Sequence, residues 1–139
     1  MQIQAYLGFN GNCREAFEFY AKVLNGKIQQ LFTAGDVPPD SGMPPCEDDW
    51  KDKIMHASLA VGDAILLGAD SPAKYYQRAA GFSVNLQINN IAEAERVYKE
   101  LSEGSQQISM PMAQTFWAAR FAMFRDRYDI PWMINCNPE

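Results

Sequence analysis

The chain has 139 residues, of which 47% are hydrophobic and 21% are charged. This length and composition indicate a single globular domain with its own core, and they exclude an intrinsically disordered chain. The formal net charge is −5, and no cluster of Lys and Arg offsets it. Because an acidic surface repels phosphate backbones, we do not expect nucleic acid as a partner.

Cysteine usage and hydropathy predict a cytoplasmic protein. The three cysteines, Cys13, Cys46 and Cys136, cannot all pair within one chain, and their spacing matches no zinc or redox motif. Reduced thiols of this kind are typical of the cytosol. The chain begins without a basic segment followed by an apolar run, and no stretch reaches the roughly 20 apolar residues of a membrane span. We therefore expect neither a signal peptide nor a membrane partner.

The first half of the chain predicts a strand, a helix and three further strands. Residues 2–9 alternate, with Ile3, Ala5, Leu7 and Phe9 on one face. Residues 13–24 have helical spacing, with Asn12 as a candidate cap and Asn25–Gly26 as the end. Residues 27–33 predict the second strand, and residues 54–61 and 64–69 predict a hairpin. The Pro-, Gly- and Asp-rich residues 34–52 predict a long loop, either functional or mobile, whose acidic part favours a solvated surface over a cation site.

The second half predicts the same order of elements. Residues 82–88 alternate, with apolar side chains on one face and Ser83, Asn85 and Gln87 on the other. A helix is predicted from about residue 91 to residue 103, closed by Gly104. Further strands are predicted near residues 106–109, 119–125 and 131–136, the last two joined by a turn at 126–130.

The two halves also match in individual residues, which predicts an internal duplication. Glu15, Ala16, Tyr20 and Gly26 each recur exactly 78 positions later, as Glu93, Ala94, Tyr98 and Gly104. We therefore expect one domain made of two repeats, residues 1–70 and 80–139. One helix covers only one face of its sheet, so each repeat needs a partner for the other face.

Three segments, in order, resemble the PhnB-like branch of the vicinal-oxygen-chelate, or glyoxalase/bleomycin-resistance, superfamily. The segment from Tyr6 to Tyr20 (YLGFNGNCREAFEFY) resembles its opening, and IMHA, from Ile54 to Ala57, fits its third strand. Its closing pattern, W-x-x-R followed by D-x-[FY]-G-x-x-W, is matched by Trp117, Arg120, Asp126, Tyr128 and Trp132. Ala118 and Asp129 stand where that pattern usually has glycine, and Asp tolerates turn conformations. The resemblance implies an α+β fold of two tandem βαβββ modules that curve around a cleft, and commonly a homodimer.

The resemblance also implies four positions for a catalytic metal, one on the first and one on the last strand of each module. Alignment through the helix tyrosines and terminal hairpins places these positions at Ala5, about Leu67, Ser83 and about Met133. Divalent metals in such sites need imidazole, carboxylate or amide donors, which these residues do not supply. A slip of one or two residues brings only Asn85 or Asn135 into place. We therefore expect no metal and no other cofactor, and no glycine-rich nucleotide loop is present.

Three side chains have both a structural and a functional interpretation. His56, the only histidine, is either a hydrogen-bonded structural residue or a ligand-binding group or general base in the cleft. Arg120 lies in an apolar stretch, where it either pairs with an acid such as Asp126 or Asp129 or holds a carboxylate or phosphate. Trp117 either belongs to the core or stacks on a flat ligand.

The amides Asn85 and Gln87 either lie on a solvated sheet or line the cleft. The offset of 78 makes Leu7 and Phe9 their counterparts, so with Met133 they predict a site for a partly apolar small molecule. The leading hypothesis is a metal-free small-molecule-binding protein, with His56, Asn85, Gln87, Trp117 and Arg120 as ligand-binding residues. The alternative is an enzyme acting on a small carbonyl, phosphonate or aromatic substrate, with His56 as base and Arg120 as anion anchor. A purely structural or interaction protein is the third hypothesis.

Overall fold

The computed structural model describes residues 1–138 and shows an α+β fold made of two βαβββ modules. The chain divides into two compact units, one ending at Gln77 and one beginning at Arg78. Each unit has one four-stranded mixed sheet and one helix. Within residues 1–138, neither helix has the length and apolar character needed to cross a membrane.

Unit 1 contains the first predicted repeat. Its elements are β1 (Ala5–Phe9), α1 (Cys13–Val23), β2 (Lys27–Thr33), β3 (Ile54–Val61) and β4 (Ala64–Asp70). The strand order is β1-β4-β3-β2, with β1 parallel to β4 and the other pairs antiparallel. The apolar face of α1 packs on the sheet, where Phe9 meets Phe17 edge-on, with 5.9 Å between ring centroids.

Unit 2 repeats this topology strand for strand. Its elements are β5 (Val84–Ile88), α2 (Ile91–Leu101), β6 (Gln107–Ala113), β7 (Arg120–Arg125) and β8 (Pro131–Cys136). The strand order is β5-β8-β7-β6, again with one parallel and two antiparallel pairs. Tyr98 on α2 packs edge-on against Phe124 on β7 at 5.6 Å. The predicted duplication is therefore present in the topology.

Most predicted boundaries agree with the structure to within two residues, with exceptions at β1 and β6. Strand β1 begins at Ala5 rather than at residue 2, and Ile3, which was expected on its apolar face, is exposed. Strand β6 extends to Ala113 rather than to residue 109, because irregular pairing around Met110 carries it past Pro111. The predicted loop at residues 34–52 contains two short 3₁₀ helices, Ala34–Asp36 and Asp48–Trp50. The base of this loop is closed by main-chain bonds from Ala34 N to Lys53 O (2.9 Å) and from Gly35 N to Lys51 O (3.0 Å).

The predicted side-chain cap at Asn12 is wrong. The Asn12 side chain makes no cap bond, and Asp70 at the end of β4 accepts from Cys13 N at 3.0 Å instead. The other carboxylate oxygen of Asp70 accepts from Ile54 N at 2.8 Å, so this residue ties three elements of unit 1 together. Asn90 does cap α2, accepting from Glu93 N at 2.9 Å.

The offset of 78 between the repeats holds for the helices but not for the first strands. Asn12 and Asn90 each accept the first helical bond at 3.0 Å, from Ala16 N and Ala94 N. However, β1 ends three residues before Asn12, whereas β5 ends two residues before Asn90. A shift of one residue turns every side chain of a strand to the other face. Leu7 therefore corresponds to Leu86, not to Asn85.

Candidate functional site

Each sheet has one face covered by its helix and one turned away from it, which we call the helix-free face. On the helix-free face of unit 2, Asn85 and Gln87 lie beside Met133 and Asn135, their partners in the β5–β8 register. Asn135 Nδ2 donates to Gln87 Oε1 at 3.0 Å, which fixes both amides on this face. The two predicted amide residues, Asn85 and Gln87, are both exposed and lie two residues apart on the same face of β5.

A depression of about 440 Å³ opens on the same face. Its lining includes Phe82, Ser83, Ser109, Met123, Arg125 and Met133. Small-molecule sites in proteins commonly measure about 300–1,000 Å³ and combine apolar walls with a few polar groups. The size and composition of this depression fall within that description.

Arg125 is the charged residue of the depression, and its guanidinium is largely buried, with 14% of the side chain exposed. Its Nη1 donates to the main-chain oxygen of Asp129 at 3.0 Å and to the Asp129 carboxylate at 3.2 Å. Its Nη2 donates to the main-chain oxygen of Ala79. Sequence reasoning missed Arg125, although strand alternation could have found it, because it lies two residues after Met123 on β7 and shares its face.

Trp117 lies just before the start of β7, at the end of the strand opposite to Arg125. Its ring packs edge-on against Phe121 at 5.2 Å, and Phe116 packs edge-on against Trp117 at 4.9 Å. Phe121 pairs with Asn135 and so belongs to the helix-free face. Trp117 is 45% exposed, so it is a surface aromatic that covers Phe121 rather than a core residue.

Arg120 lies on the face that α2 covers, which favours its structural interpretation. It pairs with Cys136, and its Nε donates to Glu95 on α2 at 3.0 Å, while Nη1 donates to the Ala119 main-chain oxygen at 2.7 Å. The predicted acid partners are wrong, because Asp126 and Asp129 have other partners. Successive side chains of a strand point to opposite faces of the sheet. Arg120 and Arg125 are five residues apart on β7, so they point to opposite faces.

The carboxylate of Asp126 organises the turn between β7 and β8. It is fully buried, and Oδ1 accepts from Tyr128 N at 2.8 Å and from Ile130 N at 3.0 Å. Oδ2 accepts from Trp132 Nε1 at 2.8 Å. In the same turn Asp129 takes a left-handed conformation, with φ +69°, where the family pattern usually has glycine. These residues of the closing pattern therefore hold the hairpin.

His56 lies on the helix-free face of unit 1 and contacts two aromatic rings. Its ring centroid is 5.7 Å from that of Phe32, its partner across β2 and β3, and 6.1 Å from that of Tyr6. Tyr6 and Phe32 are 55% and 39% exposed. The contacts found for His56 within residues 1–138 are ring contacts, and this partly exposed aromatic group does not include a nucleophile.

The prediction that Leu7 and Phe9 line the cleft with Met133 is wrong. Both are 1% exposed and belong to the core beneath α1. The one-residue difference between the repeats accounts for the error, because it puts Leu7 and Phe9 on the helix side and Asn85 and Gln87 on the helix-free side.

The strand register changes both first-strand positions, Ala5 and Ser83, among the four metal positions that the resemblance implies. Ala5 pairs with the buried Leu66 on the helix side, so the first-strand residue on the helix-free face is Tyr6, which pairs with Leu67. Its counterpart in unit 2 is Asn85, which pairs with Met133. Partial burial, and then the neighbouring Cys13, raise the pKa of the Tyr6 phenol.

The residues at these positions do not fit the metal that the superfamily fold implies. Of Tyr6, Leu67, Asn85 and Met133, Asn85 alone supplies a donor of the kind that such sites use, an amide, and the set contains neither imidazole nor carboxylate. Within residues 1–138, no three His, Cys, Asp or Glu side chains come together as a metal site.

The two buried cysteines, Cys13 and Cys136, are also unsuited to nucleophilic chemistry at this site. Cys13 is fully buried at the start of α1, and burial, followed by the charge of Asp70, raises the pKa of its thiol well above the ordinary range. Cys136 is buried on the α2 side of β8. Neither thiol lies on a helix-free face.

Comparison with known proteins agrees with this geometry over nearly the whole chain. The chain is 44% identical to protein PA1353 from Pseudomonas aeruginosa, whose crystal structure matches with a TM-score of 0.89 over 100% of this chain and 99% of that one. It is 26% identical to Protein YjdN of Escherichia coli, over 97% of this chain and 95% of YjdN. The fold also matches a PhnB protein from Bacillus cereus at 19% identity, with a TM-score of 0.79 over 98% and 99% of the two chains.

At 19% identity the likeness to the PhnB protein concerns the fold, and the PhnB-like branch stays a prediction. Residues 2–134 match the sequence profile described as Glyoxalase/Bleomycin resistance protein/Dioxygenase superfamily. The chain belongs to the glyoxalase/bleomycin resistance protein/dioxygenase superfamily.

Proposed function

We propose that the chain binds a partly apolar small molecule on the helix-free face of unit 2, and that it does so without a metal ion. The observation that supports this most directly is the depression of about 440 Å³, one of whose lining residues, Met133, is the strand partner of the exposed Asn85. Met123 and Met133 supply adaptable apolar walls. The amides both donate and accept hydrogen bonds, and they give the ligand a fixed orientation.

Trp117 extends this proposed surface toward the start of β7. Its partner Phe121 lies four residues before Arg125 on the same strand, which is about 13 Å along an extended chain. A ligand with an aromatic group could therefore stack on Trp117 only if it reaches beyond the depression. His56 belongs to unit 1, and we propose its aromatic group as a separate contact surface for a ligand rather than as a catalytic base.

The enzymatic alternative has less support. It requires the Arg120 guanidinium to hold an anion, and that guanidinium is bound to Glu95 and to the Ala119 main chain on the α2 side. The helix-free face, where the depression lies, has Arg125 instead.

Methionine methyl NMR tests the binding proposal directly. The chain has seven methionines, two of which, Met123 and Met133, line the depression. Chain labelled with ¹³C at the methionine methyls, and treated with EDTA, is screened against a fragment library of aromatic and aliphatic acids, amides and alcohols. We expect hits that shift Met123 and Met133 and leave Met43, which lies in the loop of unit 1, unchanged. A screen in which hits shift only methionines outside the depression would contradict the proposal.

Matched variants identify the role of the amides. Asn85→Ala removes one exposed amide beside Met133, and a fragment amide should then bind about 2- to 12-fold more weakly, as expected for one hydrogen bond of about 0.5–1.5 kcal/mol. Asn10→Ala removes an exposed amide from a turn of unit 1 and should leave the affinity unchanged. Equal effects of the two variants would remove Asn85 from the proposed site.

We also propose that the chain is a homodimer, as the resemblance implies. Phe116 and Trp117 support this proposal, because their rings are in contact and the residues are 97% and 45% exposed, and contiguous exposed apolar surface favours a covering partner. Light scattering coupled to gel filtration should give twice the mass of one chain, and Phe116→Ser should lower the dimer fraction. A monomeric mass at 100 μM chain would contradict it.

A further inference from the structure

The charged and apolar side chains that line the depression in unit 2 indicate the kind of ligand it suits. Of the described residues that line it, Arg125 alone is ionisable, and the two serines, Ser83 and Ser109, add hydroxyl groups. The remaining walls include the apolar side chains of Phe82, Met123 and Met133. A chain with a net charge of −5 therefore presents one local positive group inside its concave surface.

The charge of Arg125 is only partly compensated by its neighbour. Its contact with the Asp129 carboxylate is 3.2 Å, while the other carboxylate oxygen of Asp129 accepts from Arg78 Nε at 2.7 Å. Asp129 is thus shared between two guanidinium groups, and its closer contact is with Arg78. A guanidinium with 14% of its side chain exposed also receives little compensation from water.

The contacts of Arg125 hold it in place. Main-chain oxygens of Asp129 and Ala79 accept from its two terminal nitrogens, so the side chain is anchored from two directions. A fixed guanidinium loses little conformational entropy when it meets an anion, and its planar fork suits carboxylates. Serine hydroxyls within the same depression can donate to further anionic oxygens.

We infer that the depression takes an organic carboxylate with an aromatic or alkyl body, held at its anionic end by Arg125. The inference rests on the proposed function and specifies its ligand class. The apolar body lies against Phe82, Met123 and Met133, and the carboxylate lies toward Arg125, Ser83 and Ser109. The volume of about 440 Å³ accommodates a ligand of the size of a phenylalkanoate.

An isosteric pair of probes tests the charge requirement on the wild-type chain. 4-Phenylbutanoate and 4-phenylbutanamide have the same shape and differ in charge, and each is titrated against methionine-methyl-labelled chain in 20 mM and 200 mM NaCl. We expect the carboxylate to bind at least 10-fold more tightly at low salt, to shift Met123 and Met133, and to lose part of this preference at high salt. Equal affinities would overturn the inference while leaving the binding proposal intact, provided both probes shift the two methyls.

Two arginine variants locate the anchor. Arg125→Gln should reduce the affinity for the carboxylate to that for the amide, with little change for the amide itself. Arg120→Gln removes an arginine from the same strand but from the opposite face, and the preference for the carboxylate should persist. If Arg125→Gln unfolds, Arg125→Lys keeps the charge without the fork and should retain a reduced preference. A carboxylate preference that survives Arg125→Gln, or disappears in Arg120→Gln, overturns the assignment.

Discussion

Replacing Asp126 with Asn should destabilise the fold through one identifiable contact. The carboxylate is fully buried and accepts three hydrogen bonds, two from main-chain N–H groups on Oδ1 and one from Trp132 Nε1 on Oδ2. Asn retains one oxygen, which can keep the two main-chain donors. Its NH₂ group then faces the indole N–H, so a bond to a charged acceptor is replaced by two opposed donors.

The magnitude follows from the cost of that replacement. A hydrogen bond to a charged group contributes about 1.5–3 kcal/mol, and a buried donor that loses its acceptor costs about 1–3 kcal/mol. Since the two values describe overlapping effects, we expect Asp126→Asn to lower the free energy of unfolding by about 2–4 kcal/mol. The measurement is urea denaturation followed by circular dichroism, with the unfolding slope compared between variants.

A double-mutant cycle separates the indole contact from other effects. Trp132→Phe removes the N–H donor together with part of the ring, and in that background Asp126→Asn should cost at least about 1 kcal/mol less. A loss of under about 1 kcal/mol for Asp126→Asn alone, or the same loss in both backgrounds, would refute the reasoning.

Three further outcomes follow from particular contacts. Gly68→Ala should lower the free energy of unfolding by about 1–3 kcal/mol in the same denaturation assay, because the added Cβ would lie 2.7 Å from Phe17. Gly8→Ala is the matched control and should be tolerated, because the nearest atom to its Cβ is 3.6 Å away. Arg120→Gln should change stability by less than about 1 kcal/mol, since it breaks a partly exposed ion pair; a larger loss would show a deeper structural role. Burial raises the folded pKa of the Cys13 thiol, so the unfolded thiol ionises first and stability should fall as pH rises above about 8.5. Cys13→Ala should remove that part of the pH dependence, and an unchanged slope between pH 8 and pH 10 would contradict it.

The α+β fold and its duplication could be predicted from the sequence because helix and strand periodicities are local properties. The helix residues Ala16 and Ala94, related by the offset of 78, are both fully buried. The terminal hairpin of unit 2 could be predicted because Asp126 and Trp132 belong to a recognisable pattern.

The offset of 78 that relates the two helices could not predict on which face of the sheet each residue of β1 and β5 lies. The connection before α2 is one residue shorter than the connection before α1, and a register shift of one residue exchanges the two faces of a strand. For this reason Leu7 and Phe9 were predicted on a ligand surface, although they pack beneath α1. Neighbouring residues in the chain do not reveal this difference.

The choice between the two arginines of β7 depended on long-range contacts. An arginine in an apolar strand needs a partner, but the sequence does not show that Glu95, on the helix before it, supplies one to Arg120. Nor does it show that Asp129 is divided between Arg78 and Arg125. These partners are set by the packing of α2 and of the β7–β8 turn.

A crystal structure of the chain with the tightest-binding carboxylate fragment tests the central proposal most directly. The protein is crystallised after incubation with Zn²⁺, Ni²⁺ and Mn²⁺ and desalting, and anomalous data are collected above each absorption edge. The proposal predicts fragment density between Met123, Met133 and Arg125, with no anomalous peak at Tyr6, Leu67, Asn85 or Met133. An ordered metal at those residues, or fragment density confined to another surface, would contradict it.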